Sequence, residues 1–489
     1  LAEQARPGDG RRGPQRSRAG APRGAAGRAG RVDPARDAAL ALLRAVAEQD
    51  AYANLVWPHI LAEHGLAGRD AAFATELAYG TLRWRGRHDA VLAACLDRPL
   101  DSLQPALLDA LRLGVHQLHT MRVGSHAAVD QTVELVRARV NPGAAGLANA
   151  VLRRVARGGD AEQWVAELVA AGGIPDQDED PAAHLAVRAS HPEWIVWALH
   201  DALAASQPGR TWADTRRALM ADNAAGRVTL VARSLPPAGL LDRLAGQGIT
   251  AGPGLLSRLA VSVTGVVPGA LPEVATGAAG VQDEGSQVVA LALADASLEG
   301  PDQRWLDLCS GPGGKAALLA GQVAERGGSL TAVEVHPHRA QLVRSALRPV
   351  RGRHEVIVAD GTVDDVGTGY DRVLVDVPCT GLGALRRRPE SRWRRSPEDL
   401  PALTALQGRL LHRALEVVRP GGLVLYATCS PHLAETDAVV ARAGAWGGEV
   451  VAFPEGSLPV DAAAGPFLRL WPHLHDTDGM FAALIRRRP

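Results

Sequence analysis

The sequence predicts a multidomain chain: an all-α domain, a small α/β subdomain, and a doubly wound, mostly parallel α/β domain. Three observations carry that prediction. Between residues 32 and 160, apolar residues recur at helical spacing and no strand-like alternation interrupts them. From about 277 onward the pattern is strand, Gly-rich turn, helix, repeated, which is the signature of a parallel sheet covered by helices. Between the two lie short β-like runs mixed with helix. At 489 residues the chain is long enough to bury a core in each unit.

The elements follow in order. The first thirty residues carry seven arginines and two acids among many Gly, Ala and Pro, without the apolar segment of a signal peptide. Residues 1–31 therefore read as a disordered basic arm on a cytoplasmic protein. In the helical domain, 32–160, Leu107, Leu108, Leu111, Val115 and Leu118 share one face. Val129, Val133 and Val136 share another, and Leu147, Val151 and Val155 a third, with Arg153, Arg154 and Arg157 opposite. Residues 161–188 read as a linker around the acidic, proline-bounded run Pro175-Asp-Gln-Asp-Glu-Asp-Pro181. The small subdomain, 189–276, holds a helix around Trp194–Ala204 and the β-like run Arg227–Arg233. In the last domain, 277–489, strands are predicted at Trp305–Leu308, Ser329–Val335, Glu355–Ala359, Arg372–Asp376 and Leu423–Thr428. A closing strand at Gly479–Ile485 is placed antiparallel at the edge.

Composition narrows the classes. Apolar content is 46% and no run approaches the roughly 18 apolar residues of a membrane span. Four widely spaced cysteines supply neither a disulfide framework nor the paired spacing of a metal site. Net charge is zero, but the cations are 52 arginines and a single lysine, Lys315. That lysine sits in the glycine-rich loop Cys309-Ser310-Gly311-Pro312-Gly313-Gly314-Lys315, where a compact ammonium has a use that a planar guanidinium lacks.

This loop ends a strand and opens a helix, so its amides can approach a ligand at a helix N-terminus. A phosphate-cradling loop fails, because position 309 is Cys rather than Gly and Ala316 replaces the hydroxyl that would hold magnesium. A dinucleotide loop matches loosely through Gly311, Gly313 and Ala316, with Glu334 ending the next strand. The third reading is S-adenosylmethionine, which wants a loop for the methionine portion and acids at successive strand ends. Glu334 and Asp360 occupy such positions.

Three of the four cysteines, Cys309, Cys379 and Cys429, follow predicted strands, where open α/β sheets bind their ligands. Among adenosylmethionine enzymes a pocket thiol solves a particular problem. Carbon 5 of a pyrimidine is a poor nucleophile until a thiolate adds to carbon 6 and makes it enamine-like. Asp376, three residues before Cys379, is placed either to protonate the base ring or to hold cofactor. Next comes Arg386-Arg387-Arg388-Pro-Glu-Ser-Arg392-Trp393, whose charges and indole suit a phosphate backbone and an unpaired nucleotide.

Together these residues resemble the RNA 5-methylcytosine methyltransferases of the Sun/Fmu family, in the branch that acts on bacterial 16S rRNA. The segments that carry the resemblance are Gln282–Gln287, Asp307–Lys315, Asp376–Gly383, Arg386–Trp393 and Thr428-Cys-Ser430. Residues 32–160, with Ala148-Asn-Ala-Val-Leu-Arg-Arg154, resemble a NusB-like RNA-binding domain. The resemblance implies a Rossmann-like catalytic domain acting on 16S rRNA as a monomer. It implies that Cys429 is the nucleophile, that Cys379 assists release, and that Cys309–Lys315, Glu334, Asp360 and Asp376 bind S-adenosylmethionine. Val377, Gly285 and Glu435-Thr-Asp437 depart from the family's usual residues, which touches substrate detail more than chemistry. Alternatives are a tRNA cytosine-C5 methyltransferase and a non-enzymatic RNA-binding or antitermination factor. A nicotinamide-dependent oxidoreductase would explain the glycines and Glu334 but not the thiols.

Overall fold

The structure is a computed structural model that describes residues 32–489 apart from positions 50, 455 and 460. The expected basic arm, 1–31, lies outside the described residues. The helical domain opens with α1 (Pro34–Glu48), started by Pro34 and by Asp33, whose carboxylate accepts the Arg36 amide at 2.9 Å. There follow α2 (Ala53–Glu63), α3 (Gly68–Arg83), α4 (Arg85–Ala94), α5 (Pro105–His119), α6 (Ser125–Arg139) and α7 (Ala145–Arg157). One core takes in Leu107, Leu111, Val115, Val129, Val133, Val136, Val151 and Val155, with Leu108, Leu118 and Leu147 at its margin. Arg153, Arg154 and Arg157 face outward.

The expected linker at 161–188 is mostly helix. In α8 (Ala161–Ala170), a capping box between Asp160 and Gln163 starts the helix. Trp164, Val165 and Leu168 of α8 join the core of the first domain, and the Trp164 indole donates to the Val155 carbonyl at 2.9 Å. Next, α9 (Pro181–Arg188) is capped by Asp180 and packs with α10 (Glu193–Ser206) and α11 (Trp212–Asp222) around Leu185, Ile195, Leu199 and Leu219. The acidic run masked two short apolar faces, one on either side of it.

The small sheet comprises β1 (Val228–Ala232), β2 (Ala251–Pro253), β3 (Ala260–Val263) and β4 (Ala279–Val281) in the antiparallel order β2-β3-β1-β4. Two helices, α12 (Pro237–Gly246) and α13 (Pro272–Ala275), fall between these strands. The fourth strand carries this unit past the expected boundary at 276, and the junction falls at the start of α14 (Glu284–Asp295).

The large domain alternates as the spacing predicts: β5 (Arg304–Asp307), α15 (Gly314–Ala324), β6 (Ser329–Glu334), α16 (Pro337–Leu347), β7 (Arg353–Val358), β8 (Tyr370–Asp376), α17 (Leu400–Val417) and β9 (Val418–Thr428). The chain closes with α18 (Asp437–Val440), β10 (Gly448–Val451), β11 (Ala463–Ala464), β12 (Phe467–Leu470), α19 (Pro472–His475) and β13 (Met480–Arg487). Sheet order is β11-β12-β13-β9-β8-β5-β6-β7, parallel from β9 to β7, with β10 also on β13. Thus β13 is antiparallel, as expected, but not at the edge. Its run from Met480 to Ile485 is buried throughout, which is the mark of an interior strand. Strand order reverses between β5 and β8, so the ligand crevice of such a sheet opens there. No helix among the described residues is long and apolar enough to cross a membrane.

Candidate active site

The two thiols meet because β8 and β9 are parallel neighbours in register, Asp376 beside Ala427, with the Val377 amide donating to the Ala427 carbonyl at 3.0 Å. Both chains turn out of the sheet at that level, and Cys379 Sγ lies 3.5 Å from Cys429 Sγ. Of the two, Cys429 is the one that ionises more readily. A hydrogen bond from Cys379 lowers its pKa below the ordinary thiol value, helped by Lys315 and Arg388 against burial and Asp376. Cys379 is driven far up by that same hydrogen bond, by burial, by the charge on Cys429 and by Glu435. Cys429 is therefore the more acidic thiol of the two, and Cys379 the one that keeps its proton.

Across the crevice, Lys315 Nζ bonds Asp376 Oδ2 at 2.8 Å. Burial works against the ammonium, but Asp376, Cys429 and Asp307 outweigh it and raise its pKa. The loop before Lys315 is fitted tightly. A Cβ on Gly311 would lie 2.1 Å from a Glu334 carboxylate oxygen, and Gly313, with φ +106°, caps α15 in the left-handed region. Glu334 accepts the Gly311 amide at 3.1 Å and the His336 amide at 3.0 Å. Ser310 turns inward to the Val333 carbonyl at 2.9 Å, so its hydroxyl holds the loop to β6. Cys309 stays a thiol, since burial and the charges of Asp307, Asp376 and Glu334 push its pKa well up. Asp360 is exposed and caps its own turn, accepting from the Thr362 amide at 2.9 Å and hydroxyl at 2.7 Å.

Two buried acids beside the site were not among the residues assigned to it from the sequence. Asp307 ends β5 fully buried, and neither carboxylate oxygen accepts a hydrogen bond of ordinary geometry. Burial and Asp376 push its pKa up to about 7, although Lys315 and the Cys309 amide ease its charge. A buried acid left short of partners in a glycine loop fits the ammonium end of a bound S-adenosylmethionine, and Glu334 fits a ribose diol. The signal was its place at the strand end before the loop. Glu435, also fully buried, accepts from the Thr380 amide at 2.9 Å, from Gln407 Nε2 at 3.0 Å and from the Thr380 hydroxyl. Thr380 Oγ1 in turn meets Ser430 Oγ at 3.0 Å, so one carboxylate holds both cysteine loops. Only the fold brings Glu435 beside Thr380.

The Arg386–Trp393 segment is mostly mortar between domains rather than an open RNA surface. Arg392 is fully buried and donates to the carbonyls of Arg83, Ser190 and Asp222 and to Asn223 Oδ1. Arg386 is 3% exposed and pairs with Asp476, while Arg387 is held by Asp478 and Asp283. Trp393 is wedged against Gly86 and beneath Arg85. For Arg386 and Arg392 the expected RNA contact is therefore corrected: their polar partners and the packing around them leave the guanidinium groups no edge open to solvent. Arg388 alone of the five is exposed, with its guanidinium over the Tyr52 ring at 5.4 Å.

The doubly wound sheet, the glycine loop at its switch point and the strand-end acids define an S-adenosylmethionine-dependent methyltransferase. Residues 296–486 match the model of the 16S rRNA methyltransferase RsmB/F family, and residues 33–157 match the NusB family. The chain is 49% identical over 467 residues to the Mycobacterium tuberculosis protein named "Putative methyltransferase Rv1407", covering 93% of this chain and 97% of that one. It is 30% identical to the probable ribosomal RNA small subunit methyltransferase B of Bacillus subtilis, covering 93% and 98%. Its identity to the ribosomal RNA small subunit methyltransferase B of Xanthomonas campestris is 34%, covering 85% and 89%. The crystal structure of PH0851 shares the fold with a TM-score of 0.73 at 19% identity, covering 93% of this chain and 99% of that one. This chain belongs to the RsmB/F family of RNA methyltransferases, with a NusB-type helical domain ahead of the catalytic one.

Proposed function

We propose that this enzyme methylates carbon 5 of a cytosine in 16S rRNA through a covalent adduct on Cys429. The observation that carries the reading is the pair of thiols at the ends of adjacent strands, the more acidic of them Cys429, with the Lys315–Asp376 pair beside them. S-adenosylmethionine, when bound, supplies an electrophilic methyl group. Cys429 thiolate adds to carbon 6, and the electrons of the 5,6 double bond form the new bond to the methyl carbon as its bond to the sulfonium breaks. A base then takes the carbon 5 proton, the double bond reforms and Cys429 leaves as thiolate.

Cys379 suits that second half. Its pKa is raised first by the hydrogen bond to Cys429 and also by the charge there, and both causes vanish once Cys429 is alkylated. The thiol thereby becomes a stronger acid, and its thiolate a usable base, only after the adduct has formed. Asp376, ion-paired to Lys315, lies where it can meet either the base ring or the cofactor. Arg388, outward-facing and close enough to lower the Cys429 pKa, is the member of its segment that we assign to the RNA backbone.

Bisulfite sequencing of rRNA and tRNA with and without the gene tests the substrate. One 16S cytosine should lose its methyl group; an unchanged map in every RNA overturns the reading. With purified protein, Cys429→Ala should abolish turnover and adduct, while Cys379→Ala should accumulate an enzyme–RNA adduct that survives a denaturing gel. Adduct from Cys429→Ala instead would reverse the two roles.

A further inference from the structure

Beside the catalytic loop lies a second pocket that the chemistry above does not use. It has a volume of about 290 Å³ and lies between α10, the start of α17 and the segment after Cys429. Trp194, Trp197, Leu400 and His432 form its apolar and aromatic walls, and Asp201 stands at its rim. Trp197 is 44% exposed, unusual for so large an apolar ring, and Trp212 supports it edge-on at 5.1 Å between centroids. The His432 ring lies 6.5 Å from Trp194. The Ala434 amide donates to His432 Nδ1 at 3.1 Å, so the ring proton sits on Nε2, which has no hydrogen-bond partner among the described residues.

The pocket thus offers two aromatic faces, one N–H donor and one carboxylate acceptor. That set matches the face and edge of an unstacked base carrying an exocyclic amino group. The occupant follows from position. His432 is three residues beyond Cys429, within about 11 Å along the chain. The loop between them is pinned by Ser430, whose Oγ accepts the His432 amide at 3.2 Å. The pocket is thus continuous in sequence with the loop that carries Cys429, within reach of a nucleotide next to a cytosine held there. We propose that the pocket holds a nucleotide flanking the target cytosine on the same RNA strand, stacked on Trp197 and Trp194 and read by Asp201 and His432. This assignment rests on the RNA methyltransferase reading and extends it to sequence selection.

The test uses the full-length chain and oligoribonucleotides spanning the cytosine that bisulfite mapping identifies. Trp197→Ala and Asp201→Ala should raise KM for RNA about tenfold or more, the scale of losing one base–aromatic stack or edge contact, with S-adenosylmethionine affinity unchanged. Replacing one flanking base by its deaminated analogue should weaken the parent enzyme and leave Asp201→Ala indifferent. 2-Aminopurine at that position should change fluorescence on binding the parent and not Trp197→Ala. Parental KM and parental base preference in both variants overturn the inference and leave the pocket to some other partner. A parent enzyme that methylates no RNA overturns the underlying function instead, so the two failures are distinct.

Discussion

Lys315 stands between two anions. It is bonded to Asp376 at 2.8 Å and is one of the groups that lower the Cys429 pKa. Removing its charge takes away a stabiliser of the Cys429 thiolate and leaves Asp376, which raises the same pKa, unopposed. Lys315→Gln should therefore move the Cys429 titration to higher pH, with the loss of thiolate greatest at low pH and recovered as pH rises. If the titration midpoint rises by about one pH unit, alkylation of Cys429 by iodoacetamide at a pH below both midpoints should slow about tenfold. Measured without cofactor, that profile separates the thiol effect from weaker S-adenosylmethionine binding; an unmoved profile would sink the role given to Lys315. This residue and the two site cysteines were legible in the sequence because their chemistry is rare in the chain, the thiols following strands and the lysine following a glycine-rich turn. Arg392 was not. Its composition reads as a basic surface loop, and only the packing of three distant segments around it makes it a buried tie.

At the scale of elements, the catalytic geometry depends on two loops crossing at a pair of glycines. The Gly383 amide donates to the Cys429 carbonyl at 2.8 Å, and the Gly479 amide donates to the Gly383 carbonyl at 2.7 Å. A Cβ on Gly383 would lie 2.0 Å from the Gly479 carbonyl oxygen and 2.9 Å from that of Cys429, both backbone atoms with little freedom to yield. Gly383→Ala should therefore push the Cys379 loop off the Cys429 loop. Overpacking of this kind costs about 1–3 kcal/mol, readable as a lower denaturant midpoint. A displacement near about 1 Å at the reacting groups should lower the single-turnover rate by about 100-fold. Gly146→Ala, in a helix where the added Cβ meets nothing within 4 Å, is the control that should keep full activity. The strands that carry these loops were legible from their apolar runs. The interior place of β13 was not, because β10 and β12, which pair with it, and β11 beyond β12 are too short to announce themselves.

At the scale of the whole molecule, the helical domain is tied to the catalytic one through residues 389–394. Glu390 accepts the Ala53 amide at 3.1 Å, at the start of α2, where the helix presents its positive end. Arg392 does the converse. Arg83 and Asp222 are the last residues of α3 and α11, and Ser190 follows α9, so the guanidinium sits where three helices end in carbonyls. A planar fork with several donors can serve such acceptors at once, which an ammonium cannot. Arg392→Met fills similar space but leaves the carbonyls of Arg83, Ser190 and Asp222 and the Asn223 Oδ1 without their donor. Leaving a buried acceptor without its donor costs about 1–3 kcal/mol, and that loss falls at the junction rather than within either core. Calorimetry of the variant should therefore show the helical domain melting apart from the catalytic domain, where the parent melts with both together. S-adenosylmethionine binding should stay at the parental affinity, since no crevice residue touches Arg392, while KM for RNA rises if the helical domain helps to hold the substrate against the catalytic one. A single transition at the parental temperature would show that the domains are held by other contacts.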